Sequence, residues 1–184
     1  MPGIHIHLAI GNRYIEKHKV ENEKEFLEGI IAPDFAESKD KSHYTVHMEL
    51  KDNFAEYVKE KINLENFLKE NKVQTDYEKG VYLHLLTDDT FFRTFFEQEY
   101  LESTNYDDFM RDLYYSYGVI NQHLIKKYNI SLSEETVEKI KRNIEESIKQ
   151  KKVKEDNANA NNILPIEKID KFIEKLSDVN LDNI

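Results

Sequence analysis

Cysteine is absent from this 184-residue chain, and glycine (5) and proline (3) are scarce. Without cysteine there is no disulfide, no thiolate nucleophile and no Cys-ligated zinc, so any metal must be held by His, Asp and Glu. Few Gly and Pro residues argue against turn-rich β architectures, which consume both. No apolar run approaches the roughly 18 residues that a membrane span requires. The start, Met1-Pro-Gly-Ile-His-Ile-His7, lacks the basic and apolar regions of a signal peptide, so the expected location is cytoplasmic. A net charge of −10 argues against general binding of nucleic-acid duplexes and against docking on anionic lipid. A small phosphorylated substrate stays allowed, because a bound dication reverses the field locally.

What the chain does have is 34% charged and 39% hydrophobic residues, the balance of amphipathic helices with solvated outer faces. The expected fold is therefore all-α, a multi-helix orthogonal bundle. Residues 1–19 alternate like a strand at Ile4, Ile6, Leu8 and Ile10, but the length and the lack of turn residues favour a helix. A second helix over about Glu23 to Ile31 is expected to stop at Ala32-Pro33. A loop from Pro33 to Asp52 then crosses the core. Asn63 caps a helix to about Asn71, and Thr75-Asp-Tyr-Glu78 has the form of a capping box opening a helix to about Asp89. Phe91 to Tyr100 continues helically, and Phe109, Leu113, Tyr117, Ile120 and Leu124 form a helical stripe to Tyr128. Ser131-x-x-Glu134 is expected to cap the next helix, whose face is Val137, Ile140, Ile144 and Ile148. A polar linker, 154–162, precedes a last amphipathic helix with Ile166, Ile169, Phe172, Ile173 and Leu176 on its apolar face. Residues 1–128 read as a helical domain with a metal site between helices. Residues 129–184 read as a C-terminal helical extension packed on it.

The most specific local motif is His84-Leu-Leu-Thr-Asp88. Residues four apart share one helix face, about 5–6 Å between Cβ atoms, so an imidazole and a carboxylate can share an ion there. An isolated pair of this kind is more often a plain surface hydrogen bond. Here its helix is the most apolar in the chain, and a buried His and Asp must be paired or metal-bound. Asp34, after Gly29-Ile-Ile-Ala-Pro33, and His43, nine residues on, each read singly as loop residues. His5 and His7 point about 200° apart on a helix, so one of them faces any shared site. His18, His47 and His123 have no ligand-like spacing.

Taken in order, Met-Pro-x-x-x-x-His7, Gly29-x-x-x-Pro33-Asp34, His43 and His84-x-x-x-Asp88 resemble the zinc-dependent phospholipase C family, in particular its small bacterial members. The resemblance covers about residues 1–125. It implies an all-α fold binding zinc between helices and hydrolysing phosphodiester or phosphomonoester bonds. It also implies a ligand set of His7, Asp34, His43, His84 and Asp88, with Asp88 as the bridging carboxylate. The chain departs from the family in lacking a further His where Thr94 stands and a later His-x-x-x-Glu, since Lys127 follows His123 by four. It also starts Met-Pro, where the secreted phospholipases offer a mature N-terminal amine as a ligand. One or two divalent ions, zinc first among them, are the implied complement. The implied reaction is metal-assisted hydrolysis of a small phosphorylated or phospholipid-like substrate by metal-activated water, with Asp88 at the centre and Asp89 as a proton carrier. The rival expectation is a catalytically reduced member acting as a binding or scaffolding protein, whose Val137–Ile148 stripe packs on the domain or meets a partner helix. A nucleotide phosphohydrolase of the His-Asp type is disfavoured, because no His-Asp dipeptide occurs.

Overall fold

The computed structural model describes residues 2–45, 54–55, 62–151 and 159–184, with the backbone alone for 143–151 and 183. It is an all-α multi-helix bundle with no strand among the described residues. In chain order the helices are α1 (Ile4–Lys17), α2 (Glu23–Phe35), α3 (Lys39–Ser42), α4 (Leu64–Glu70), α5 (Asp76–Thr90), α6 (Gln98–Ser103), α7 (Tyr106–Lys127), α8 (Glu134–Lys151) and α9 (Ile166–Leu176). No helix among the described residues is long and apolar enough to cross a membrane.

Local chemistry sets most of the boundaries. Asn22, Asn63 and Asn105 accept a backbone N–H from three residues on, satisfying a donor that the first turn leaves open. Thr75 and Glu78 form the reciprocal capping box expected from the sequence. The stretch expected as a loop from Pro33 carries the short helix α3, and two helix boundaries also differ from expectation. Pro33 does not stop α2, which runs two residues further to Phe35. Proline costs a helix most in its interior, and here it stands in the last turn, with its own carbonyl taken by Ser42 Oγ at 2.9 Å. At α8 the cap is Ser133 rather than Ser131, because Ser133 Oγ accepts the N–H of Thr136 at 3.1 Å. Between α5 and α6 the helix does not run straight on. Phe91–Phe95 forms a single π turn that ends at Phe96, where the backbone turns extended.

One hydrophobic cluster joins α1, α2, α5, the π turn, α7 and α9. Phe91, Phe95, Phe96, Phe109 and Phe172 meet edge-on in it. The C-terminal helix is part of this core, since Ile169, Phe172, Ile173 and Leu176 are all buried in it. Its outer side is tied to α1 by Arg13 and Lys17, both paired with Glu174. Asp170 of α9 receives Tyr128 Oη at 2.9 Å and lies 3.0 Å from His123 Nε2. Where the linker ends, Asn161 N–H donates to buried Asp112 and Ile163 N–H to buried Ser116. Residues 154–158 of the linker, His47, and the side chains of Ile144 and Ile148 lie outside the described residues.

The crossing of α2 and α5 positions the site. A Cβ on Gly29 would strike the Tyr77 carbonyl of α5, and one on Gly80 would strike the Phe26 carbonyl of α2. Backbones can meet this closely only where side chains are missing.

Candidate metal centre

Each of the five residues singled out by the resemblance is placed by the local chemistry of its own segment. His7 lies one turn into α1, Asp34 ends α2, His43 caps α3, and His84 and Asp88 share a face of α5. Their sequence separations are large, yet the side chains converge. His7, His43, His84 and Asp88 are at most 1% exposed, while the Asp34 side chain keeps 14%.

Asp88 is the hub. Its Oδ1 is 3.3 Å from His7 Nε2, and its Oδ2 is 3.4 Å from His84 Nε2 and 3.5 Å from His43 Nε2. His43 Nε2 also lies 3.8 Å from Asp34 Oδ1. None of these approaches is a well-formed hydrogen bond. Both oxygens of Asp88 and both ring nitrogens of His7 are buried with no hydrogen-bond partner. Buried polar atoms are seldom left so, and a cation is one partner that could satisfy them together.

The tautomers follow from the backbone. His84 Nδ1 is 2.7 Å from the Ile30 carbonyl, and His43 Nδ1 is 2.9 Å from the Lys39 carbonyl. A carbonyl can only accept, so each Nδ1 carries the proton and each Nε2 presents a lone pair. The two Nε2 atoms face one another 3.1 Å apart. Two lone pairs at that distance repel unless a cation stands beside them. A proton can serve, and the charges around His84 agree: burial pulls its pKa down, but Asp88, Asp34 and the Ile30 carbonyl together raise it above the usual value. A divalent ion serves better, because it also satisfies Asp88. A tetrahedral ion with bonds of about 2.0–2.2 Å places its ligand atoms about 3.3–3.6 Å apart. The observed triangle of His43 Nε2, His84 Nε2 and Asp88 Oδ2 has edges of 3.1, 3.4 and 3.5 Å. Backbone carbonyls fixing the far nitrogen are the usual support of metal-ligating histidines.

These buried His and Asp groups can hold a metal ion. No family model, no curated protein and no solved structure matches this chain. The likeness to zinc-dependent phospholipases therefore rests on the residue pattern alone.

The remaining electrostatics suit a cation. Burial opposes ionisation of Asp88, but His84 and His7 hold its pKa well below the usual carboxylate value. Burial pushes His43 down to about 4, so it is neutral and ready to ligate at pH 7. His7 is lowered as well, by burial and by the neighbouring His84.

The other candidates lie elsewhere. Asp89 is one residue round α5 and pairs with Arg93 at 2.6 Å, outside the cluster. Among the described residues His5 joins no ligand group. His18 stacks on Tyr14, with its Nε2 2.9 Å from the Ser177 carbonyl, and His123 faces Asp170. Two residues near the site had no recognised signal in the sequence. The Tyr117 ring packs on Gly3, and its phenol, whose pKa burial raises strongly, also feels the charges of Asp88 and Asp34. In the sequence Tyr117 is one member of a core stripe, and nothing marks it apart. Gly80 is the second, and a lone glycine inside an apolar helix was the available sign. A cavity of about 470 Å³ between α2, α3 and α5 is lined by Pro33, Ser42, Phe67 and Val81, among others. None of the five site residues lines it, although Ser42, which does, has its Oγ 3.0 Å from His43 Nδ1.

Proposed function

We propose that this chain is a divalent-metal-dependent hydrolase of phosphoester bonds, with zinc as the ion and a small phosphorylated molecule as substrate. The observation that carries the reading is the facing pair of His43 and His84 lone pairs beside the unpartnered Asp88 carboxylate. His43, His84 and Asp88 would hold the ion, which when bound acidifies a water and polarises a phosphoryl oxygen. Asp34 is the carboxylate placed to manage a proton, since it alone of the five keeps solvent access and lies 3.8 Å from His43. Asp89 is held by Arg93 and does not fit that role. The negative surface disfavours polyanionic substrates, which supports a small phosphoester over a nucleic acid.

The test is elemental analysis of tag-free protein together with turnover of bis-(p-nitrophenyl) phosphate and p-nitrophenyl phosphate. Stoichiometric metal and turnover, both lost in His84→Ala and Asp88→Ala, are the expected outcome. Folded protein that binds the ion and turns over neither ester defeats the hydrolase reading. One observation favours a second reading, a metal that acts as a staple in a binding protein: the three ligands are 0% exposed. Under that reading the ion binds and stabilises the fold without turnover.

A further inference from the structure

We infer that the site takes a single divalent ion, and that His7 is a positioning residue acting on the far oxygen of Asp88 rather than on the ion. The inference rests on the metal-site reading proposed above and fixes its stoichiometry and the part played by α1.

Among the described residues, two three-membered groups have ligand atoms close enough to share an ion: His43–His84–Asp88 and His7–Asp34–His84. Both require His84. Its Nδ1 proton is committed to the Ile30 carbonyl, so it has one lone pair, on Nε2, and one imidazole nitrogen binds one ion. The two groups therefore exclude each other, and a second ion would be left with His7, Asp34 and the far oxygen of Asp88, which form no ligand group of their own among the described residues.

Ring geometry decides which group forms. The His7 and His84 rings are stacked, with centroids 3.8 Å apart and planes inclined by 9°. A metal–imidazole bond lies in the plane of its ring. An ion in the His84 plane thus stands a full van der Waals contact out of the His7 plane, where His7 has no lone pair to give. His43 has no such conflict, since its ring is inclined by 66° to His84 and its Nε2 faces the same point. Asp88 divides its carboxylate accordingly. Oδ2 belongs to the His43–His84 triangle, and Oδ1 is turned to His7 Nε2 at 3.3 Å. With an Nε2–H, His7 closes a hydrogen bond to Oδ1 after a small ring rotation and orients the carboxylate, the usual task of an outer partner to a ligand.

The experiment is titration of metal-free, tag-free full-length protein with Zn²⁺ by calorimetry and with Co²⁺ by visible absorption, for wild type and for His7→Ala, His7→Gln and His43→Ala, each checked for helicity by circular dichroism. One ion per chain is expected for wild type. His7→Ala should still bind one ion, about 10–100-fold more weakly. His7→Gln, which can offer an amide N–H to Oδ1, should recover part of that loss. In both His7 variants the Co²⁺ bands should keep their positions, because the ligand atoms are unchanged. His43→Ala should shift the bands or abolish binding. Two ions per chain of similar affinity would overturn the inference, and so would Co²⁺ bands that move in His7→Gln as they do in His43→Ala. One ion without phosphoester turnover would sink the hydrolase reading alone. Two ions with turnover would sink this inference alone, and a folded chain that binds none would sink both.

Discussion

Replacing Gly80 by alanine should damage the fold and the buried His/Asp cluster together, because the same helix crossing supports both. The new Cβ would overlap the Phe26 carbonyl oxygen and sit 2.9 Å from Ile30 N. These are backbone atoms within α2 and have no rotamer by which to yield. Restoring ordinary contact requires α2 and α5 to part by on the order of 1 Å. The bond from His84 Nδ1 to the Ile30 carbonyl spans this same crossing at 2.7 Å, and that opening takes it out of hydrogen-bonding range. Overpacking of this kind costs about 1–3 kcal/mol. Leaving a buried imidazole N–H without its acceptor costs about 1–3 kcal/mol more. The sum, about 2–6 kcal/mol, is a large part of the 5–15 kcal/mol typical of a domain.

Gly118 gives the matched control. It lies mid-way along α7, and a methyl group added there would meet nothing within 4 Å. Alanine at this position should stabilise the protein by about 0.5–1 kcal/mol, through the lower entropy of the unfolded chain and better helix propensity. Urea unfolding of both variants and wild type in EDTA measures the two changes, and Zn²⁺ affinity of Gly80→Ala reports on the site. The two substitutions must differ in sign. A Gly80→Ala protein within about 1 kcal/mol of wild type, with unchanged Zn²⁺ affinity, would refute the argument that backbone contact at this crossing positions His84.

Three further outcomes follow from the same structure. Saturating the folded protein with Zn²⁺ at about 1,000 times its Kd should raise stability by about 4 kcal/mol, and chelation should reverse it; thermal unfolding with and without EDTA checks this. In metal-free protein, stability should fall as pH drops from 6.5 toward 4. His43 has a folded pKa of about 4 against an ordinary 6.5, so its contribution is complete above the unfolded value and lost as pH falls through the folded one. The difference of 2.5 amounts to about 3 kcal/mol. Asp88, depressed below 3.8, adds to the loss on the acid side, while the raised His84 works in the opposite sense and loses its contribution as pH rises. Urea midpoints at pH 7 and 4.5 should therefore differ less in His43→Gln than in wild type, and an equal slope would exclude His43 as the source. Finally, Ile173→Ala in α9, fully buried in the common core, should cost about 2–5 kcal/mol and unfold the chain in one transition. A separate early transition would show instead that the C-terminal helix is a detachable unit.

Helix content was legible because composition and the 3.6-residue pattern act locally. The capping box at Thr75 and Glu78 needs only four consecutive residues, and it forms as read. Ser131 and Ser133 show the limit of such reading. Both lie just before the helix, and which of them caps it depends on where the first turn starts, a shift of two residues that the sequence pattern leaves open. Pro33 shows a different limit. The rule that helices stop before proline is a conformational preference of the preceding residue, and here Ala32 stays helical and only Asp34 and Phe35 follow Pro33 before the helix ends.

The five residues were legible as a list, and the contacts among them were not. Sequence order brings His7, Asp34, His43, His84 and Asp88 to notice, but nothing in the order says that His7 lies flat on His84 or that Asp88 turns a different oxygen to each side. Those facts depend on how α1 and α3 meet α5, while the orientation of His84 and His43 depends on the α2–α5 crossing, which two glycines permit, and on the carbonyls of Ile30 and Lys39, which carry no side-chain signature at all. A carbonyl that any residue could supply decides which nitrogen of each histidine is left for a cation. The consequence is that conservative changes at Ile30 or Lys39 should leave the centre intact, whereas a single methyl group at Gly29 or Gly80 should not.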